Sequence, residues 1–278
     1  MTGPALDRLR MRVRRLGAPL CVGIDPHPDA LPEPLTRDVR GVEAMARGLL
    51  EVAVETAAAV KVNVAFFEAF GSAGWAALER LRAETPGDLP FIADAKRGDI
   101  GTTAERYATA VFDHLGADGV TVSPYLGEDG VAPFVAHGER IIYVLARTSN
   151  PSAGTFQDLG TGGEPLHEAV ASWVARTWPD PRVGLVVGAT APAELERLRA
   201  LVPATPFLVP GVGAQGGDLV AAVRAAAGSG GPGIVNVSRA ISAASSGADW
   251  QPAARRAAVE LLGRMREAAG ATLGASAP

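Results

Sequence analysis

The length and composition of the chain are those of an ordinary globular protein. With 278 residues it is long enough for one large α/β barrel or for two smaller domains. Apolar residues make up 47% of it and charged residues 20%, which allows a sizeable buried core. The formal net charge of −4 and the scattered arginines give no electrostatic footprint for nucleic acid, so we expect no nucleic-acid partner.

The sequence also indicates in which cellular compartment the protein is found. No apolar segment approaches the length of about 20 residues that a membrane span needs, so no membrane partner is expected. Residues 1–20 alternate arginine with apolar residues and lack the continuous apolar stretch of a signal peptide. The single cysteine, Cys21, can form no intramolecular disulfide, and inert packing is a better interpretation of it than nucleophilic chemistry. We therefore expect a cytoplasmic protein.

Taken in chain order, the sequence alternates between short apolar runs and helical stretches. Most of the runs are continuously apolar, as expected of strands buried on both faces of a parallel sheet. Eight candidate strands lie at residues 20–24, 60–64, 90–93, 119–122, 141–145, 183–187, 207–209 and 234–237. Candidate helices between them lie at residues 42–58, 65–83, 103–114, 165–178, 193–201 and 218–227. We further expect an N-terminal helix within residues 1–18 and a C-terminal helix at about 249–270.

This alternation predicts a single-domain (β/α)8 TIM barrel over about residues 19–245. The alternative architecture is an open doubly wound sheet. That fold would favour a glycine-rich dinucleotide-binding turn after the first strand, and residues 24–28 read Ile-Asp-Pro-His-Pro instead.

The longest segment without periodicity, residues 147–164, directly follows the fifth candidate strand. Loops of this length often act as lids in compact domains, and the loops that follow barrel strands surround the active site. The segment is therefore predicted to be a lid, with a plain solvent-exposed insertion as the alternative.

Charged residues occupy strand positions that are otherwise apolar. Lys61 opens the run Lys-Val-Asn-Val over residues 61–64, and Asp94 and Lys96 end the run Phe-Ile-Ala-Asp-Ala-Lys over residues 91–96. Since isolated buried charges are costly, such groups are expected to be paired or functional. Side chains alternate along a strand, so Asp94 and Lys96 should share a face at the barrel mouth. With Asp99 three residues further on, an alternating Lys-Asp-Lys-Asp array is predicted; a purely structural ion-pair network is the alternative.

A second cluster has the features of a phosphate site. Barrels often bind phosphate with the loops after strands seven and eight. Here the first of these loops reads Pro-Gly-Val-Gly-Ala-Gln-Gly-Gly-Asp over residues 210–218, and the second contains Arg239. Glycines let backbone N–H groups approach an anion, and a guanidinium can bind two phosphate oxygens.

The run Asp-Ala-Lys-Arg-Gly-Asp-Ile-Gly over residues 94–101, the run Thr-Ser-Asn-Pro over residues 148–151, and the glycine loop with Gln215 together resemble orotidine 5'-phosphate decarboxylases. The Lys-Arg-Gly variant and the Asn-Pro turn are similar to the type 2 bacterial subfamily. The resemblance implies decarboxylation of orotidine 5'-phosphate to uridine 5'-phosphate, the last step of de novo pyrimidine nucleotide synthesis, with no cofactor and no metal.

The resemblance also implies roles for individual residues. Lys96 is the implied proton donor to C6, within the array formed with Lys61, Asp94 and Asp99. Asp99, Ile100 and Thr103 resemble a segment inserted into the partner subunit's site, which implies a homodimer with shared active sites. The remaining implied substrate-binding residues are Asp25, Ser149, Pro210, Val212, Gln215, Ser238 and Arg239.

Three alternatives to this function remain open. Metal-dependent sugar-phosphate decarboxylases and hexulose-phosphate synthases share the Asp-x-Lys-x-x-Asp pattern, but need a further acidic ligand near the second strand, where the residues are Lys-Val-Asn-Val. A Schiff-base aldolase would need a lysine with a lowered pKa, whereas both lysines here have carboxylate neighbours. A nucleotide-monophosphate-binding protein without activity would not need Lys96 or Asp99.

Overall fold

The computed structural model describes residues 4–213, 216–226 and 233–274. Its strands, in chain order, are β1 (Leu20–Ile24), β2 (Ala59–Asn63), β3 (Phe91–Arg97), β4 (Gly119–Val122), β5 (Ile141–Arg147), β6 (Gly160–Thr161), β7 (Glu164–Pro165), β8 (Val183–Val187), β9 (Phe207–Pro210) and β10 (Ile234–Val237). All but β6 and β7 close into a barrel of parallel strands in the order β1-β10-β9-β8-β5-β4-β3-β2. The predicted single-domain (β/α)8 TIM barrel is confirmed.

Helices surround the barrel and follow its strands. They are α1 (Ala5–Leu16), α2 (Val39–Thr56), α3 (Ala65–Glu68), α4 (Gly71–Glu84), α5 (Gly101–Thr109), α6 (Glu128–Val135), α7 (Gly154–Gln157), α8 (Leu166–Thr177), α9 (Pro192–Leu201), α10 (Leu219–Ala226), α11 (Arg239–Ser242) and α12 (Trp250–Gly274). Among the described residues, no helix is both long and apolar enough to cross a membrane.

The barrel strands are buried because helices cover their outer faces. Every residue of β1, β4, β8 and β10 is buried, which explains why these segments are almost continuously apolar. The barrel closes between its first and last strands, where Leu20 is paired with Val235 and Val22 with Val237. The polar residues inside this wall are therefore exceptions that need partners.

Several elements differ from their predicted extents. The predicted helix at 65–83 is divided into α3 and α4 before Gly71, whose φ is +60°, a conformation that favours glycine. The predicted helix at 103–114 ends as a π-turn over Ala110–His114. Helix α6 was not predicted, because it has eight residues and contains Pro133, and so offers little helical periodicity.

At the N-terminal end of the barrel strands, an ion-pair cluster around Asp118 holds α1. Arg8 of α1 forms a buried ion pair with Asp118, and Arg82 lies 3.5 Å from the same carboxylate. Asp118 also accepts a 2.9 Å hydrogen bond from the backbone N–H of Phe91, the first residue of β3. One carboxylate thus ties the N-terminal helix to the start of the strand that carries Asp94.

Candidate active site

A cavity of about 510 Å³ opens at the C-terminal ends of the barrel strands. It is lined by Asp25, Lys61, Asn63, Asp94, Lys96, Thr121, Leu145, Thr148, Ser149, Asn150, Gln157, Val186, Leu208, Pro210, Gly211, Val212, Asn236, Ser238 and Arg239. Parallel strands place their carboxyl ends at one edge, so residues far apart in sequence meet here. Its lining combines charged and polar side chains with apolar ones, among them Leu145, Val186 and Leu208.

Asp94 lies at the centre of a charged network in this cavity. Its Oδ2 accepts a 2.6 Å hydrogen bond from Lys61 Nζ, and its Oδ1 accepts a 2.6 Å bond from Lys96 Nζ. Lys61 Nζ is also 3.7 Å from Asp25 Oδ1. Lys61 and Asp94 are 4% and 8% exposed, whereas the Lys96 side chain is 49% exposed and remains accessible from the cavity. The chain thus forms an Asp25-Lys61-Asp94-Lys96 array.

The electrostatics of this array favour its charged state. Burial alone would raise the pKa of the Asp94 carboxyl, but the two lysines outweigh burial and hold that pKa well below its usual range. Burial alone would lower the pKa of Lys61, but Asp25 and Asp94 outweigh it and raise that pKa above its ordinary value. Lys61 is therefore not the neutral amine that Schiff-base chemistry requires.

The array uses both lysines of the chain. Lys61 and Lys96 are its two lysines, and every other residue among the 26 counted as Lys or Arg is arginine. Lysine presents a compact ammonium that can lose and regain a proton, whereas arginine remains protonated in proteins. Both lysines of the chain therefore contact the same carboxylate, Asp94.

Lys96 reaches Asp94 through an irregular backbone. Ala93 is paired with Val120 and Arg97 with Val122, so β3 advances by four residues while β4 advances by two. Within this irregularity Lys96 has a φ of +46°, the only positive φ of a non-glycine residue in the described parts of the chain. Simple alternation is therefore not what brings Asp94 and Lys96 together. Left-handed backbone at a non-glycine residue is strained, and such strain is concentrated at functional sites.

Arg239, which is predicted to bind phosphate, lines the same cavity. Arg239 begins α11, and Ser238 lies between it and the end of β10. Gly211 and Gly213, in the loop after β9, have φ values of +99° and +80°, so these positions require glycine. Pro210 and Val212 line the cavity from this loop. Gln215 lies outside the described residues.

Several buried polar atoms in the cavity wall have no hydrogen-bond partner among the described residues. They are Asp25 Oδ1, Asn236 Oδ1 and Ser238 Oγ. Buried polar groups are nearly always satisfied in proteins, and those that are not require an explanation. Their location around one cavity is consistent with a polar ligand that supplies the missing partners.

The segment after β5 contributes residues to the cavity lining. Its short helix α7 ends at Gln157, whose side-chain oxygen accepts a 2.8 Å hydrogen bond from the Thr148 backbone N–H. Gln157 Nε2 also donates a 2.8 Å hydrogen bond to Thr148 Oγ1. These contacts place Ser149, Asn150 and Gln157 in the cavity lining.

Three predicted site residues do not line the cavity of their own chain. Asp99 follows the end of β3, and its carboxylate accepts a 2.8 Å hydrogen bond from the Ile100 backbone N–H. Ile100 is 55% exposed, and Thr103 is also exposed. The structure thus brings Asp25, Lys61, Asp94, Lys96, Ser149, Pro210, Val212, Ser238 and Arg239 together, but not Asp99, Ile100 and Thr103.

Some cavity residues were not singled out from the sequence. Among them, Thr121 and Asn236 are buried polar residues inside apolar strands, so the signal that identified Lys61 could have found them. Cys21, by contrast, has no exposed surface, and burial raises the pKa of its thiol to about 12. A thiolate nucleophile is therefore disfavoured at this position.

Comparison with known proteins identifies the family. Residues 18–255 match the family described as Orotidine 5'-phosphate decarboxylase / HUMPS. The chain is 51% identical over 245 residues to an orotidine 5'-phosphate decarboxylase of Roseiflexus castenholzii, covering 87% of this chain and 90% of the relative. It is 45% identical to the corresponding protein of Herpetosiphon aurantiacus, covering 87% and 91% of the two chains. The solved OMP decarboxylase of Leishmania donovani superimposes with a TM-score of 0.81 at 38% identity, covering 95% of this chain and 99% of that one. The chain therefore belongs to the orotidine 5'-phosphate decarboxylase / HUMPS family.

Proposed function

We propose that this protein decarboxylates orotidine 5'-phosphate to uridine 5'-phosphate, the last step of de novo pyrimidine nucleotide synthesis. The observation that carries the proposal is the buried Asp94 carboxylate, held by two ammonium groups at 2.6 Å in a cavity that Arg239 also lines. The names of the relatives support the same reaction over metal-dependent sugar-phosphate chemistry.

The reaction needs a group that stabilises charge at C6 and then supplies a proton. When the bond between C6 and the carboxylate carbon breaks, CO₂ leaves and the electron pair stays on C6. The Lys96 ammonium, accessible from the cavity, stabilises this negative charge and then donates a proton to C6. The resulting neutral amine regains a proton from water, so the enzyme returns to its initial state.

The other residues of the array position Lys96 and the substrate. Asp94 faces the substrate carboxylate and holds the Lys96 ammonium, while Lys61 and Asp25 bind the ribose hydroxyls. Asp25 Oδ1 lacks a hydrogen-bond partner among the described residues, which supports a role as an acceptor for a substrate hydroxyl. Positioned charges of this kind supply catalysis without a cofactor, because they need no reorganisation during the reaction.

The loops that follow β5, β9 and β10 bind the rest of the nucleotide. Arg239 and Gln215 bind the phosphate with the backbone N–H of Ser238, and Ser149 contacts the pyrimidine. Pro210 and Val212 form an apolar wall beside the departing carboxylate. Remote binding energy of this kind can be used to organise the reacting centre, and the segment at residues 150–164 acts as the lid over it.

We further propose that the protein acts as a homodimer with shared active sites. Asp99, Ile100 and Thr103 would complete the partner's site, which is consistent with their absence from the cavity lining of their own chain. Near Asp99 lie exposed large apolar side chains, including Tyr125 at 85% and Leu126 at 44%. Contact with a second copy would bury such a surface.

Loss of the ultraviolet absorbance of orotidine 5'-phosphate in the presence of purified protein tests the proposed function. The rate should be the same with and without a chelator, because the lysines supply the positive charge that a metal would otherwise provide. Absence of turnover would contradict the proposal. Loss of activity with a chelator and its recovery with Mg²⁺ would instead indicate the metal-dependent branch of the family.

A further inference from the structure

A single buried hydroxyl connects the backbone of Lys96 to the carboxylate of Asp94. Thr121 lies on β4, is 1% exposed and lines the cavity. Its Oγ1 accepts a 3.0 Å hydrogen bond from the Lys96 backbone N–H and donates a 2.9 Å hydrogen bond to Asp94 Oδ1. The hydroxyl therefore uses its donor and its acceptor capacity on the two residues at the centre of the charged array.

The first of these bonds lies where the backbone is least regular. Lys96 has a φ of +46° and lies within the register shift between β3 and β4. A non-glycine residue keeps this conformation only where its surroundings determine it strongly. The Thr121 hydroxyl supplies a fixed acceptor for the Lys96 N–H at a buried position, and so favours the irregular backbone over a regular strand.

The second bond holds the Asp94 oxygen that binds the Lys96 ammonium. Asp94 Oδ1, which accepts from Thr121, is also the oxygen that binds Lys96 Nζ at 2.6 Å. The Lys96 backbone and the contact of its ammonium group are therefore both set by Thr121. The second carboxylate oxygen, Oδ2, is held separately by Lys61. Removing the Thr121 hydroxyl would take this acceptor from the Lys96 backbone N–H and one donor from Asp94 Oδ1, but would leave Lys61 in place.

We propose that Thr121 is a positioning residue that holds the Lys96 ammonium at its catalytic place by fixing both the left-handed backbone of Lys96 and the carboxylate of Asp94. The inference rests on the proposed function, in which Lys96 donates the proton. A displacement of about 1 Å at a reacting group can lower a rate about 100-fold, so a small positioning defect should be measurable.

Steady-state kinetics of two variants test the role of the hydroxyl. Thr121→Val keeps the volume but removes the hydroxyl, and should lower kcat about 10- to 100-fold while KM changes less than about threefold. Thr121→Ser keeps the hydroxyl and should retain kcat within about threefold of wild type. An unchanged kcat in Thr121→Val, or equal losses in both variants, would overturn the proposal.

Thr85→Val is a matched control for general destabilisation. Thr85 is 5% exposed, and its hydroxyl donates a 2.9 Å hydrogen bond to the Leu81 carbonyl, remote from the cavity. The control should lose stability without the loss of kcat. If Thr121→Val does not fold, Thr121→Ala and Thr121→Ser form a second pair that differs by the hydroxyl alone. Comparable kcat values in that pair would overturn the proposal.

The two lysines allow a direct structural readout that does not depend on turnover. Protein labelled with ¹³C at lysine Cε gives signals from Lys61 and Lys96 only, and these can be assigned with Lys96→Ala. Thr121→Val should move the Lys96 signal, whereas Thr85→Val should leave both signals in place. A Lys96 signal that is the same in Thr121→Val and in wild type would overturn the proposal. If wild type does not decarboxylate the nucleotide, the proposed function fails, but this spectrum still tests the positioning of Lys96.

Discussion

Replacing Lys96 with alanine should abolish turnover but preserve the site that binds the nucleotide. The change removes the ammonium from Asp94 Oδ1, but that oxygen keeps its 2.9 Å bond from Thr121 Oγ1, and Oδ2 keeps its 2.6 Å bond from Lys61. Asp94 therefore retains two of its three donors and should remain ionised. Since the Lys96 side chain is 49% exposed, its removal leaves no large buried void.

The size of the effect follows from the two roles proposed for the ammonium. A positioned general acid contributes about 10²- to 10⁴-fold, and a preorganised charge at a developing anion about 10²- to 10³-fold. Taken together, the loss in kcat should be about 10⁴-fold or more, which corresponds to about 5.5 kcal/mol of transition-state stabilisation. Alanine also has to adopt the φ of +46°, as lysine does, so the substitution should not add backbone strain.

Two measurements test this expectation. Loss of substrate absorbance gives kcat and KM, and calorimetric titration with uridine 5'-phosphate gives the affinity of the phosphate and ribose contacts, which should change by less than about tenfold. Arg239→Ala is the contrasting variant, because loss of a phosphate ligand should weaken uridine 5'-phosphate binding strongly. A Lys96→Ala protein with wild-type kcat and a raised KM would refute the assignment of Lys96 as proton donor.

Three further predictions concern the dimer, the ion-pair cluster around Asp118 and the loss of stability in acid. Mixing Lys96→Ala and Asp99→Ala chains should restore about a quarter of wild-type activity, because half of the dimers are mixed and each mixed dimer has one intact site of two. Native mass spectrometry would show whether the subunits exchange. If they exchange and no activity is recovered, Asp99 belongs to its own chain's site. Asp118→Asn should lower the free energy of unfolding by about 3 kcal/mol in denaturant titrations, because buried Arg8 loses its ionised partner. The kcat of the variant should stay at the wild-type value. An unchanged unfolding midpoint would contradict a stabilising role for Asp118. Because the folded-state pKa of Asp94 lies below its unfolded value, its stabilising contribution is complete above about pH 4 and is lost as the pH falls through the folded-state pKa. The stability difference between wild type and Asp94→Asn should therefore shrink in acid, and a difference independent of pH would contradict the array.

The main features of the fold could be predicted from the sequence because a barrel covered by helices buries both faces of its strands. Almost continuously apolar runs at residues 20–24, 119–122, 183–187 and 234–237 coincide with β1, β4, β8 and β10. Weak local signals were less informative. Helix α6, which contains Pro133, has too little periodicity to be recognised, and the break before Gly71 depends on a local left-handed turn.

The charged site was also indicated by the sequence, because ionisable groups in apolar strands are too costly to be incidental. That reasoning identified Lys61, Asp94 and Lys96, but the geometry that joins them was not accessible to it. Strict alternation would place Asp94 and Lys96 on one face, whereas the structure joins them through a register shift and a left-handed residue. An irregularity of this kind depends on contacts with the neighbouring strand, which lies far away in the sequence.

Local sequence therefore determined which segments are strands and which residue types carry chemistry, because hydrophobic periodicity and the cost of burying charge act residue by residue. Tertiary structure alone decided that Thr121, on the strand adjacent to β3, supplies the hydroxyl that fixes Lys96 and Asp94. It also decided which polar atoms of the cavity wall have no hydrogen-bond partner in the described part of the chain. Both depend on barrel closure, which sets the register between strands and brings side chains from distant positions within hydrogen-bonding distance.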